Sequence, residues 1–214
     1  MQHKFLLRTL GHNQLPQETN VSINNSIYEI RWHGRGGQGV VTAAKIVAYA
    51  AFLDGYRGVT SAPFFGAERR GIPVSALTRI SFEPVLTVSQ IESPDTVVIL
   101  DQTLLKYNEV LSGLREKGWV IVNSIRHPAE LNLPSSYNVA AVDATGICKE
   151  LGLVVSGVPV VNTAIVGALA HATRIVSLQS LEKAIREKFA NDTSQLNVSA
   201  LIKTYQSTVI FTKC

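Results

Sequence analysis

Six consecutive residues, Gly34-Arg35-Gly36-Gly37-Gln38-Gly39, constrain this chain more than any other stretch. Upstream, Ile27-Tyr28-Glu29-Ile30-Arg31-Trp32 alternates with period two, which suits a strand. Downstream, Val40 to Leu53 is rich in alanine and sets Val40, Ala43, Ala44, Val47, Ala50 and Ala51 at helical spacing, until Asp54-Gly55 stops it. A GxGxxG pattern between a strand and a helix is the turn of a dinucleotide-type α/β unit. Its glycines let the chain turn tightly and bring main-chain N–H groups to a ligand. The free N–H groups and dipole of the following helix favour an anion, and Arg35 adds a guanidinium suited to phosphate. A glycine turn that only packs a helix on a strand satisfies the same pattern. A nicotinamide dinucleotide site would also need an acidic residue at the end of the second strand. That strand ends in Ser61-Ala62-Pro63, and Asp54 sits at the helix end, so the dinucleotide reading is weak.

The rest of the chain alternates in kind. Strands are expected at Arg57–Ala62, Val74–Ile80, Thr96–Leu100, Trp119–Val122 and Val139–Val142. Helices are expected at Leu104–Lys117, Asp143–Leu151, Asn162–Thr173, Leu178–Phe189 and 197–207. This order predicts an α/β fold: a three-layer Rossmann-like sheet, largely parallel, flanked by helices. Residues 1–26 show no periodicity and read as an N-terminal tail or arm, leaving 27–214 as a single domain. The apolar share of 46% excludes wholesale disorder. The net charge of +4 allows an anionic partner, but the basic residues are scattered and nucleic acid is not expected. With only 17% charged residues, part of the surface is expected to lie under other subunits.

No apolar run approaches the roughly 20 residues that span a membrane, and sparse cysteine suits a reducing cytoplasm. Cys148 and Cys214 are too few for an iron–sulfur cluster or a structural zinc, and the five histidines form no HxH or HExxH pair, so no metal site is proposed. Cys148 reads as a small buried hydrophobe and Cys214 as a free terminal thiol.

A second motif runs from Ser61 to Pro73, where Glu68, Arg69 and Arg70 stand between Gly66 and Gly71. The pair of arginines can clamp phosphate or a partner's carboxylate, or be a solvated run. Phe64 and Phe65 either pack inward or meet a partner. Asp101 follows a strand, a usual place for site residues, yet it can equally cap the next helix. His33 reads as a structural histidine beside the loop, and Asn162-Thr163 as a helix cap. No general acid, base or nucleophile is assigned, so no catalytic residue is expected in this chain.

Together, Arg31-Trp32-His33-Gly34-Arg35-Gly36-Gly37-Gln38-Gly39 and Pro63-Phe64-Phe65-Gly66-Ala67-Glu68-Arg69-Arg70-Gly71 resemble the gamma subunit of 2-oxoacid:ferredoxin oxidoreductases, pyruvate synthases above all. The resemblance continues through Leu100–Leu104, Val120–Asn123, Val142–Thr145 and Val160–Ala164, and covers about 28–190. Ile72 departs from it, at a position where the family often has glycine.

The resemblance implies a subunit, not a whole enzyme. The family decarboxylates a 2-oxoacid, passes the acyl group to coenzyme A and two electrons to ferredoxin. Thiamine diphosphate, magnesium and [4Fe-4S] clusters would belong to alpha, beta and delta partner subunits. This chain has neither cluster cysteines nor a GDG-type thiamine motif. The gamma chain would cover the catalytic subunits, or take part in coenzyme A capture through Gly34, Arg35, Gly36, Gly37, Gln38, Gly39, Glu68, Arg69 and Arg70. Pyruvate is the expected 2-oxoacid; 2-oxoglutarate, 2-oxoisovalerate and indolepyruvate are the alternatives, and a stand-alone nucleotide-binding oxidoreductase is the remaining one.

Overall fold

The computed structural model describes residues 27–64, 71–87 and 89–212. The expected N-terminal arm lies outside them. Strand β1 (Tyr28–Arg35) runs into the glycine turn, and helix α1 (Val40–Leu53) leaves it. Strands β2 (Gly58–Phe64) and β3 (Pro73–Ser81) follow, then β4 (Thr96–Ile99), β5 (Trp119–Asn123) and β6 (Asn138–Val142). Helix α2 (Ala144–Glu150) leads to a small hairpin, β7 (Val154–Val155) and β8 (Val158–Pro159). Helices α3 (Val161–Thr173), α4 (Leu178–Lys188) and α5 (Asn191–Ser207) precede a last strand, β9 (Val209–Phe211).

Seven strands form one sheet in the order β2-β3-β1-β4-β5-β6-β9. β1, β4, β5 and β6 are mutually parallel; β3 and β9 run the other way, and β2 returns to the common direction. The expected mostly parallel α/β sheet is what forms.

All five α-helices among the described residues lie over one face. Even-numbered residues of β1 and β4, such as Ile30, Trp32 and Val98, point into that core with Ala43, Ala44, Ala50 and Ala51 of α1. Alanines let α1 approach the sheet closely, in keeping with its composition. Trp32 is fully buried, and its indole N–H is satisfied by Thr78 Oγ1 at 3.0 Å. Helix α3 is wedged between sheet and α5, with 11 of its 13 residues buried. A Cβ on Gly167 would stand 2.3 Å from the Leu201 carbonyl oxygen, so only glycine permits that helix crossing.

The opposite face carries the correction. The expected helix Leu104–Lys117 is absent; two short 3-10 turns, Gln102–Lys106 and Asn108–Val110, replace it, with Tyr107 extended between them. Ser112-Gly113 weakens helix propensity, and Gly113 adopts φ 73°. The decisive agent is Arg31, 8% exposed, whose guanidinium donates to the carbonyls of Val110 (3.0 Å) and Ser112 (2.6 Å). A helix would need those carbonyls for its own ladder. Leu104, Val110, Leu114 and Leu131 still cover Val97, Ile99, Val120 and Val122, so this layer is thin but apolar. Smaller revisions are that α5 begins at Asn191 rather than 197, and that β9 and the β7–β8 hairpin join the expected elements.

Candidate functional site

The site begins where β1 ends. After Arg35 pairs with Pro73, the ladder continues past the strands: Gly36 N–H donates to the Ile72 carbonyl (2.8 Å) and Gly71 N–H to the Gly36 carbonyl (3.1 Å). The glycine turn is thus bound to the end of the second motif, and Ile72 serves it through main chain alone. Glu68, Arg69 and Arg70 lie outside the described residues, as does Phe65; Phe64 is exposed. Gln38 folds back over the turn, accepting from the Arg35 N–H at 2.7 Å.

Arg35 does not reach into free space. Its Nε donates to Asp101 Oδ2 (2.7 Å), Nη2 to Thr103 Oγ1 (2.7 Å) and Nη1 to the Gly71 carbonyl (3.1 Å). Asp101 also accepts from the Thr103 N–H, capping the first 3-10 turn. Burial opposes ionisation of Asp101, but the Thr103 bonds and the Arg35 guanidinium outweigh it and hold its carboxyl below the usual value. Arg35 and Asp101 therefore form a brace joining the ends of β1 and β4 and the base of the second motif.

His33 is structural, in line with its sequence reading. Its Nε2 accepts from Arg31 Nε (3.1 Å), and burial, with the Arg31 charge, pushes its pKa down to about 4. Cys148 is fully buried, donates to the Val160 carbonyl and has its pKa pushed up to about 12, first by burial and then by the Asp143 charge.

The remaining wall comes from far along the chain. The turn residues Ser156 and Gly157 adopt φ 49° and 77°, which closes the two-residue hairpin between β7 and β8. Val155, Val158 and Pro159 of this hairpin, with Asn162 of α3, face Gly36 to Gly39 across a pocket of about 430 Å³. Among the described residues no carboxylate lines it. Gly39, the N-cap of α1, has φ 74°, and a Cβ there would stand 2.1 Å from Asn162 Nδ2. The N-termini of α1 and α3 therefore meet on the floor of one pocket. In the sequence Asn162 reads only as a cap, and the hairpin goes unnoticed. Its signal is the Ser-Gly pair between valines.

The sequence profile of the pyruvate ferredoxin/flavodoxin oxidoreductase family matches residues 29–207. This chain belongs to that family. Across 186 residues it is 45% identical to the "Pyruvate/ketoisovalerate oxidoreductases common subunit gamma" of Pyrococcus furiosus, covering 86% of this chain and 98% of that protein. It is 46% identical over 172 residues to the pyruvate synthase subunit PorC of Methanocaldococcus jannaschii, covering 80% and 92%. The crystal structure of the Thermotoga maritima pyruvate oxidoreductase subunit PORC matches with a TM-score of 0.73 and 33% identity, covering 86% and 98%. The chain is a gamma subunit of a 2-oxoacid:ferredoxin oxidoreductase, an enzyme that acts on an oxo group with an iron–sulfur protein as acceptor.

Proposed function

We propose that this gamma subunit serves pyruvate synthase: pyruvate, coenzyme A and two oxidised ferredoxins give acetyl-coenzyme A, carbon dioxide, a proton and two reduced ferredoxins. Its role is to cover the catalytic subunits and to take part in capturing coenzyme A. The observation that carries the reading is the pocket between the glycine turn and the hairpin, at the ends of β1 and β4. Donors on its floor suit a phosphate, and the valines of its wall suit an uncharged chain; coenzyme A has both. Thiamine diphosphate with magnesium, and [4Fe-4S] clusters, are assigned to alpha, beta and delta partners, and ferredoxin docks on the complex. Among the described residues no three of His, Cys, Asp and Glu gather to hold a metal. No helix among them is long and apolar enough to cross a membrane. We assign the complex to the cytoplasm as part of this proposal.

The test is anaerobic purification of the complex through a tag on this chain, followed by pyruvate- and coenzyme A-dependent ferredoxin reduction. Val155 is 65% exposed on the pocket wall, so Val155→Asp adds an anion there without disturbing the core. It should raise KM for coenzyme A and leave KM for pyruvate alone. A colourless chain without partners, or an unchanged KM, would overturn the respective part. The Pyrococcus relative is named as common to two oxidoreductases. A second reading follows, in which this chain also serves a 2-oxoisovalerate enzyme; two sets of thiamine-bearing chains in the purified material would establish it.

A further inference from the structure

The end of the sheet away from the pocket leaves aromatic and aliphatic side chains uncovered. Phe52, on the last turn of α1, is 62% exposed and stacks on Tyr49. Phe82, one residue past β3, is 47% exposed, and its ring stacks on buried Tyr56 with centroids 4.6 Å apart. The stretch after Phe82 crosses over Gly58, where a Cβ would stand 1.9 Å from the Glu83 carbonyl oxygen, and Leu86 beyond it is 94% exposed. Single exposed apolar residues are ordinary; several gathered at one edge mark a contact surface.

The chain enters the domain at that edge. Tyr28 pairs with Ile80 and Gly58 with Ser81, while Tyr56 follows directly on α1, so the start of β1 lies beside the end of β3, Phe82 and the last turn of α1. Before it come residues 1–26, which the family match, beginning at residue 29, does not include. The Pyrococcus relative is matched over 98% of its length by 86% of this chain. Residues 1–26 carry Phe5-Leu6-Leu7 and Leu10, with Lys4 and Arg8 on either side of the first three. The last turn of α1 holds no basic residue, so its negative dipole end favours those two cations. Phe5 and Leu10 stand 22 and 17 positions before Ile27. That is a reach of up to about 75 and 55 Å, against about 21 Å for the whole of α1. A tether of this length gives an effective concentration of order mM, so a contact with a Kd of about 0.1 mM stays closed about nine-tenths of the time.

We propose that the N-terminal segment of this chain covers this edge in cis, laying Phe5, Leu6, Leu7 and Leu10 on Phe52, Phe82 and Leu86. The contact is internal to the subunit and separate from the pocket at the other end of the sheet.

Hydrogen exchange tests it, comparing the full chain with one lacking residues 1–26. Amides of residues 82–87, which lie outside helix and strand, should exchange about ten-fold faster in the shortened chain, and those of α3 should not change. The double change Phe5→Asp and Leu6→Asp in the full-length chain should have the same effect, and it decides the matter if the shortened chain does not fold. Equal exchange of 82–87 in the full chain and in the double variant would overturn the proposal. A photoreactive benzoylphenylalanine in place of Phe5 then identifies the surface. The expected adduct joins it to the peptide carrying Phe52 or Phe82 of the same chain. An adduct between two copies, one elsewhere on this chain, or one to another subunit of the assembled complex would overturn the proposal.

Discussion

Gly39→Ala puts the meeting of the two helix ends under direct strain. Gly39 adopts φ 74° and ψ 34°, a conformation that costs an L-residue about 1–2 kcal/mol. The new Cβ would lie 2.1 Å from Nδ2, 2.9 Å from Cγ and 3.2 Å from Cβ of Asn162. All three atoms belong to one side chain, so Asn162 must swing away as a unit. That movement breaks its bond to the Thr163 N–H in the first turn of α3, worth about 1 kcal/mol. The loss of close packing adds to this, so the expected cost is about 2–4 kcal/mol. Gly55 is the control: it has φ 96°, and an added methyl would meet nothing within 4 Å, so Gly55→Ala incurs only the backbone cost of about 1–2 kcal/mol. Urea unfolding followed by the fluorescence of Trp32 and Trp119 measures both. For a slope of about 2 kcal/mol per molar urea, the two variants should differ by about 0.5–1 M in midpoint. Adding Asn162→Ala to Gly39→Ala should recover most of the excess, giving a coupling of about 1–2 kcal/mol. Equal midpoints for Gly39→Ala and Gly55→Ala, or strict additivity in the double variant, would refute the claim that α1 and α3 meet there.

Three further outcomes are expected. Arg35→Ala should let the Asp101 carboxyl titrate nearer its ordinary value, seen by carboxyl NMR, and cost about 1 kcal/mol because the pair is partly exposed. His33 is held neutral to a pKa of about 4, below its ordinary 6.5, so the unfolded chain binds the extra proton first. Stability from this group is complete above about pH 6.5 and falls toward pH 4, by up to about 3 kcal/mol; His33→Gln keeps the acceptor for Arg31 and should flatten that slope in pH-dependent urea melts. Cys148, with its thiol pushed up to about 12, should resist iodoacetamide at pH 8 in the folded chain and label after unfolding, as mapped by peptide mass spectrometry.

Elements whose signal is local were legible in the sequence. Helix α1 forms at Val40–Leu53 because alanine spacing and the Asp54-Gly55 stop act within one segment. Strands β4, β5 and β6 were found because a short β-branched run bounded by turns is rarely anything else. What failed was decided across the chain. Residues 104–117 carry apolar spacing that suits a helix, yet Arg31, more than 70 positions earlier, claims the carbonyls. Strand β9 is only three residues long and exists because β6 offers it an edge. For the site, the glycine turn was plain, while its orientation toward α3 was not. Arg35 shows why: its pairing with an acidic neighbour 66 positions on, brought beside it by β4, cannot be read from the turn itself.

The buried guanidinium of Arg31 also sets how the molecule comes apart. It reaches from the middle of the sheet to the Ile91 carbonyl on one segment and to Val110 and Ser112 on another, fastening two otherwise irregular stretches to β1. On the helical face, α3 alone buries 11 residues among several neighbours. Amide protons between Gln102 and Leu114 should thus exchange as one cooperative unit, at a lower opening free energy than α1 or α3. The turn layer is a thin apolar panel with a buried cation at its centre, and it is expected to detach while the α-helical half stays intact.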